Sequence, residues 1–241
     1  MLSQRTCATR GPLLIPKYPS TPYWPYSPSF GRGDALHQGS CRFVGEPVVI
    51  TEKLDGGNTL LHSGEVFARS ASAPSAGKWM AMVKKHHAWK VREPDVYLYG
   101  EDIYGVHSIV YGAVPETETF YAFALRYADG AFAPFEKVQS YAEQKEIPVV
   151  PVLFKGRFES FNELRGFMEK AHGEPSALGV VREGVVREGV VLRLAEGFPA
   201  MDFPKNVCKS VRVDHVQTDE HWTRNWRPCE ILRQPKSSAL C

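Results

Sequence analysis

The sequence has no CxxC pair, no apolar run of membrane length and no dominant sign of charge. Each absence removes a class of protein. Its five cysteines (Cys7, Cys41, Cys208, Cys229, Cys241) are odd in number and scattered. That spacing argues against a disulfide framework or a structural zinc site and fits reduced thiols. Leu13-Leu14-Ile15 is closed by Pro16, far short of the ~18 residues a membrane span requires. The N-terminus carries no signal-peptide pattern. The expectation is a cytoplasmic protein without membrane contact. Basic residues number 29 against 27 acidic, a formal charge of +2. Whole-molecule charge therefore does not announce a nucleic-acid binder, and such a surface must come from local clustering.

What is present is a chain of 241 residues, 43% hydrophobic, enough for one large domain. Residues 1–16 read as a disordered tail. Residues 17–40 are rich in Pro, Ser, Gly and Tyr, with interleaved aromatics such as Tyr23-Trp24-Pro25-Tyr26, and read as an ordered wrap. From Cys41 short β runs alternate with turn signals. Strands are expected at 47–52, 59–62, 65–69, 96–100, 119–127, 149–154, 190–194 and 207–211. Trp79, Met82, Val83, His86 and Trp89 recur at helical spacing and predict a helix over 78–89. Further helices are expected at 135–145 and 160–172. Strands outnumber helices and several are joined by hairpins, so the class is α+β in a single domain over 17–241, with 213–241 as a short extension. A tandem repeat, Val181-Arg182-Glu183-Gly184-Val185 followed by Val186-Arg187-Glu188-Gly189-Val190, is too short for a solenoid.

The chemistry centres on Thr51-Glu52-Lys53-Leu54-Asp55-Gly56. A lysine is an unreactive ammonium until neighbouring cations, metal or desolvation lower its pKa. At a strand end before a glycine turn it can face a pocket whose ligand approaches the backbone closely. Read alone, the segment is a surface hairpin that happens to spell KxDG. Five downstream segments, in order, change the weight: Phe67-Ala68-Arg69-Ser70, Tyr99-Gly100-Glu101, Phe120-Tyr121-Ala122-Phe123-Ala124, Glu188-Gly189-Val190-Val191-Leu192-Arg193, and Lys205-Asn206-Val207-Cys208-Lys209.

In that combination, spread over residues 51–212, the chain resembles the ligase and RNA-capping superfamily. It is most similar to the RNA ligase family typified by phage RNA ligase 2. The resemblance implies a nucleotidyltransferase (adenylation) domain, with two antiparallel sheets flanking a nucleotide groove and peripheral helices. It implies ATP as substrate, with Lys53 attacking its α-phosphate to form lysyl-AMP, and Glu52, Asp55 and Gly56 in the same motif. Arg69 would contact ribose or a terminal phosphate, Glu101 would lie by the ribose and the catalytic centre, and Phe123 would stack on adenine. Ala124 departs from the family pattern, which usually has Asp there. Glu188 would bind Mg²⁺ or Mn²⁺. Glu183 is its rival through the repeat, and Leu192-Arg193 favours Glu188. Lys209 would contact the α-phosphate, with Lys205 as a weaker second.

AMP would then pass to a 5′-phosphate end of nicked or broken RNA, to be displaced by a 3′-OH, in nucleic-acid repair. DNA or a hybrid is an alternative substrate. Other nucleotidyl transfer within the superfamily, and a catalytically silent nucleic-acid-binding module, are alternative functions. Only 29 residues follow Arg212, too few for the OB-fold domain of conventional DNA ligases and capping enzymes. The expectation is thus no OB-fold, with a partner protein as one source of substrate grip. Asp214–Trp222, including His215 and His221, receives no catalytic role.

Overall fold

The computed structural model describes residues 15–31, 33–69, 72–178, 186–213 and 226–232. Glu183 and the 214–222 segment lie outside the described residues. The class is α+β, built on two antiparallel sheets. One has four strands in the order β10-β8-β1-β7: β1 is Val48–Lys53, β7 Val152–Gly156, β8 Gly189–Leu194 and β10 Val207–Val211. The other has six, β3-β2-β4-β5-β6-β9: β2 Gly57–His62, β3 Glu65–Ala68, β4 Val96–Asp102, β5 Phe120–Tyr127, β6 Ala131–Phe132 and β9 Phe198–Pro199.

Alternation along the four-stranded sheet decides what each face meets. Ile50, Val190, Leu192 and Cys208 point one way, into a cluster with Leu164, Met168 and Ala171 of helix α3 (Phe161–Ala171). Thr51 and Lys53, Val191 and Arg193, and Val207 and Lys209 are offset by one residue and line a cavity on the other face. Helices α1 (Ala81–His86) and α2 (Phe135–Gln144) share a core with Leu61, Val66, Leu98 and Leu125 of the six-stranded sheet.

Three expected elements change at their ends. Ser160 caps α3 by accepting a hydrogen bond from the Glu163 amide, as its residue type favours. The strand expected at 149–154 starts only at Val152, because Pro148 and Pro151 have no N–H to give a ladder. Their carbonyls accept from Ala122 and Glu52 instead. The helix expected over 78–89 is broken: 3₁₀ turns at Lys78–Met80 and Ala88–Lys90 flank the short α1. The break falls at His87, which is fully buried and whose Nε2 meets the Thr117 carbonyl at 3.0 Å.

The N-terminal wrap runs parallel to β10. The Trp24 amide donates to the Lys209 carbonyl at 2.7 Å, and the Lys209 amide to the Pro22 carbonyl at 2.9 Å. Trp24 is buried in the α3 cluster, so the wrap covers a sheet edge that would otherwise be open. Residues 226–232 lie along the loop after β4, with the Cys229 amide bonded to the Tyr104 carbonyl and the Val106 amide to that of Arg227. Among the described residues, no helix is long and apolar enough to cross a membrane.

Candidate active site

The cavity between the two sheets has a volume of about 890 Å³, within the usual range for small-molecule sites. Lys53 ends β1 on its wall. Its ammonium lies 2.6 Å from each carboxylate oxygen of Glu188, the residue just before β8. The register explains the meeting: Lys53 pairs with Gly189, and Val211 of β10 pairs with Gly189 from the other side. A side chain at Gly189 would collide with the Ser210 backbone, so only glycine lets the three strands close here. Burial alone would lower the Lys53 pKa, but the Glu188 and Glu101 carboxylates outweigh it and hold the amine above its ordinary value.

Lys209 lies on the neighbouring strand, with its ammonium 4.0 Å from the Tyr23 ring centroid, a cation–π distance. Its pKa is lowered by burial and then by the Lys53 cation. Glu101, near the end of β4, accepts from the Gly56 amide at 3.2 Å. Burial is the main cause that pushes it up to about 8. Asp102 is also pushed up to about 8 by burial. Its Oδ1 accepts from the Tyr104 amide.

Asp55 turns away from the cavity. Its Oδ2 accepts from the Ser108 amide, the Ser108 hydroxyl and the Ile109 amide at 2.8, 2.8 and 2.6 Å. Its own amide donates to the Tyr111 hydroxyl. Asp55 thus fixes the turn after Lys53 to the loop beyond β4. At Gly56 an added Cβ would sit 2.5 Å from the Asp102 carbonyl oxygen, so the turn passes too close to β4 for any side chain. Glu52 is buried and accepts from the Ala177 amide at 2.7 Å.

Phe123 reaches the cavity through a bulge. Tyr99 of β4 pairs with Ala124 and Gly100 with Ala122, leaving Phe123 as the extra residue. A bulge re-aims a side chain in this way. Ala124 is buried in an apolar cluster with Leu60, Phe67 and Phe132. Arg69 lines the cavity and donates to the Ser20 hydroxyl at 2.9 Å. Lys205 is not among the lining residues; it sits on a short helix (Phe203–Asn206) and pairs with Asp202 at 3.0 Å.

Sequence reasoning missed three lining residues. Tyr18 packs edge-on against Phe123, centroids 5.0 Å apart, and Tyr23 sits under Lys209. Both belong to the wrap, whose interleaved aromatics were the available signal. Arg193 is buried and donates to the carbonyls of Phe123 and Ala133 at 3.3 and 3.0 Å. Its place two and four residues beyond Val191 and Gly189 on the same face could have found it.

The chain matches the RNA ligase family over residues 46–211. No curated protein matches it. Among solved structures, an archaeal ATP-dependent RNA ligase is 18% identical with a TM-score of 0.51, the match covering 82% of this chain and 48% of that one. Naegleria gruberi RNA ligase with PPi is 18% identical with a TM-score of 0.52, covering 71% and 51%. A mutant of that Naegleria gruberi ligase with ATP and Mn is 19% identical with a TM-score of 0.54, covering 84% and 58%. This chain therefore spans about half the length of the solved structures it matches. At such identities the likeness is one of fold, and the family match is the stronger statement. This chain belongs to the RNA ligase family.

Proposed function

We propose that the chain is an ATP-dependent RNA ligase that works through a lysyl-AMP intermediate on Lys53, in nucleic-acid repair. The observation that carries the reading is Lys53 held at 2.6 Å by Glu188 on the wall of an 890 Å³ cavity that Lys209, Glu101, Arg69 and Phe123 also line. Family membership and a fold shared with a ligase bound to ATP and Mn support it.

Lys53 gives up a proton, and its lone pair attacks the α-phosphorus of ATP. The N–P bond forms as the bond to the pyrophosphate oxygen breaks. A 5′-phosphate oxygen then attacks the same phosphorus, the N–P bond breaks, and Lys53 regains a proton. A 3′-OH finally displaces AMP to make the phosphodiester. Phe123 offers a ring to adenine. Lys209 and Arg69 place cations toward the phosphates, where charge builds in the transition state. Asp55 and Gly56 act through position, by fixing the turn that aims Lys53.

Glu188 and Glu101 offer hard oxygen donors that fit Mg²⁺ or Mn²⁺. Among the described residues no group of three His, Cys, Asp or Glu assembles, so phosphate oxygens would complete the shell. A bound ion there would neutralise phosphate charge.

The test is incubation with ATP radiolabelled at the α-phosphate and Mg²⁺ or Mn²⁺, then denaturing electrophoresis. A labelled band that disappears in Lys53→Ala is expected, followed by sealing of nicked RNA in preference to nicked DNA. A band retained in Lys53→Ala would sink the assignment.

A further inference from the structure

A cavity of this volume suits a nucleotide, and a polynucleotide strand extends beyond one nucleotide. One region of the chain has the composition to meet it. Between Glu65 and Glu93 the sequence holds six lysines and arginines and no aspartate or glutamate, although the chain as a whole is nearly balanced. Within it, Trp89 is 54% exposed, unusual for the residue type that gains most from burial. The Lys90 ammonium lies 5.8 Å from the Trp89 ring centroid, and the Arg92 guanidinium donates to the Trp89 carbonyl at 2.9 Å.

The neighbouring carboxylates do not cancel this charge. Glu93 is tied to Lys145 and the Tyr141 hydroxyl, and Glu116 to Lys85 and His86. The side chains of Lys84, Lys90 and Arg92 bond to the neutral carbonyls of Ser75, Glu146 and Trp89, while the Arg92 backbone amide donates to Glu93 at 2.9 Å. Among the described residues none of these three side chains pairs with a carboxylate. Carbonyl bonds orient a cation without discharging it, so the field stays positive around an exposed aromatic face.

We infer that this surface docks the RNA strand, with Trp89 stacking on a base and Lys84, Lys90 and Arg92 meeting phosphates. Exposed aromatics among cations suit single-stranded nucleic acid, because every base has a π face and every nucleotide a charge. The inference deepens the ligase reading and rests on it for the identity of the strand. Its position sets a length. The Gly64 amide bonds to the Val91 carbonyl, placing the surface at the β2–β3 turn, while the other end of β2 adjoins the Lys53 turn. Six residues of strand span about 20 Å. The surface therefore grips RNA about 20 Å from the reacting end.

The experiment is fluorescence anisotropy with a labelled, 5′-phosphorylated single-stranded RNA of about 18 nucleotides, without ATP, alongside self-adenylation of each variant. Trp89→Ala should weaken RNA binding about tenfold, the loss of one stacked base. Lys84→Gln with Arg92→Gln should reduce the slope of log affinity against log salt by about 1.4. Met201→Ala, at an 84% exposed apolar residue elsewhere, should change nothing. All variants should self-adenylate as the unmodified chain does. Binding within twofold for both the tryptophan and the double variant overturns the surface, as does a parallel loss of adenylation. Because binding is read without ATP, failure of the lysyl-AMP reading would show only in the adenylation arm.

Discussion

The Lys53–Glu188 pair makes a quantitative demand that does not depend on ATP, metal or RNA. At 2.6 Å and an effective dielectric of about 20, the attraction is about 6 kcal/mol. The Lys53 side chain is 24% exposed and Glu188 3%, so solvent screens part of it, and Glu101 remains nearby when Glu188 is neutralised. Roughly half, about 3 kcal/mol, should be lost in Glu188→Gln, which lowers the Lys53 pKa by about two units. At any pH below both values the neutral amine then rises about a hundredfold. Amine-selective acylation followed by peptide mass spectrometry reads this directly between pH 7 and 9. In the unmodified chain Lys53 should react more slowly than Lys209, whose pKa is shifted down. In Glu188→Gln that gap should narrow, with Lys209 still the faster of the two.

Stability gives a second reading of the same pair. The folded-state pKa of Lys53 lies above its ordinary value of 10.5. The pair's contribution is therefore fully present below about pH 10 and is lost as pH rises through the folded value. Leaving a partly exposed ammonium without its partner should cost about 2–3 kcal/mol, less than for a fully buried pair. The melting temperature should fall by about 6–10 °C. That deficit should hold steady below pH 10 and shrink above it. Lys53 acylation in Glu188→Gln within twofold of the unmodified chain, with the fold intact, would refute the reasoning.

Two other perturbations concern the site's surroundings. Asp102 is pushed up to about 8 by burial from an ordinary 3.8, so the folded state binds the proton that the unfolded chain releases. Its contribution falls as pH rises from about 4 to 8, and Asp102→Asn should melt higher than the unmodified chain at pH 8.5 and lose that advantage at pH 5; equal gains at both would contradict the assignment. Tyr111→Phe removes the hydroxyl that accepts from the buried Asp55 amide at 2.8 Å. It should cost about 1–3 kcal/mol, read by denaturant unfolding, and slow self-adenylation by loosening the turn after Lys53; unchanged stability would show that the bond contributes nothing.

What could be read from the sequence was local. Alternation in Thr51–Lys53, Val190–Arg193 and Val207–Lys209 depends on period two alone and names the right strands. The α3 cap depends on Ser160 and Glu163, three residues apart. The partner of each strand is another matter. Lys53 meets Glu188 across 135 positions, and Asp55 meets Ser108 and Ile109 across 53 and 54. The carboxylate of Asp55 could not be aimed from its motif, because three donors in a later loop decide its direction.

Helical spacing over 78–89 was misleading for a related reason. The pattern of apolar residues is a preference of the helix surface, while the break is set by His87, whose ring is drawn to a carbonyl 30 positions away. Ala124 shows the reverse case, a departure from the family pattern that the packing explains. The bulge that turns Phe123 into the cavity leaves the next side chain buried among Leu60, Phe67 and Phe132. A carboxylate there would have to leave water for an apolar cluster, which costs several kcal/mol without a partner. In this chain the same bulge that presents an aromatic ring to the cavity makes alanine the cheaper neighbour.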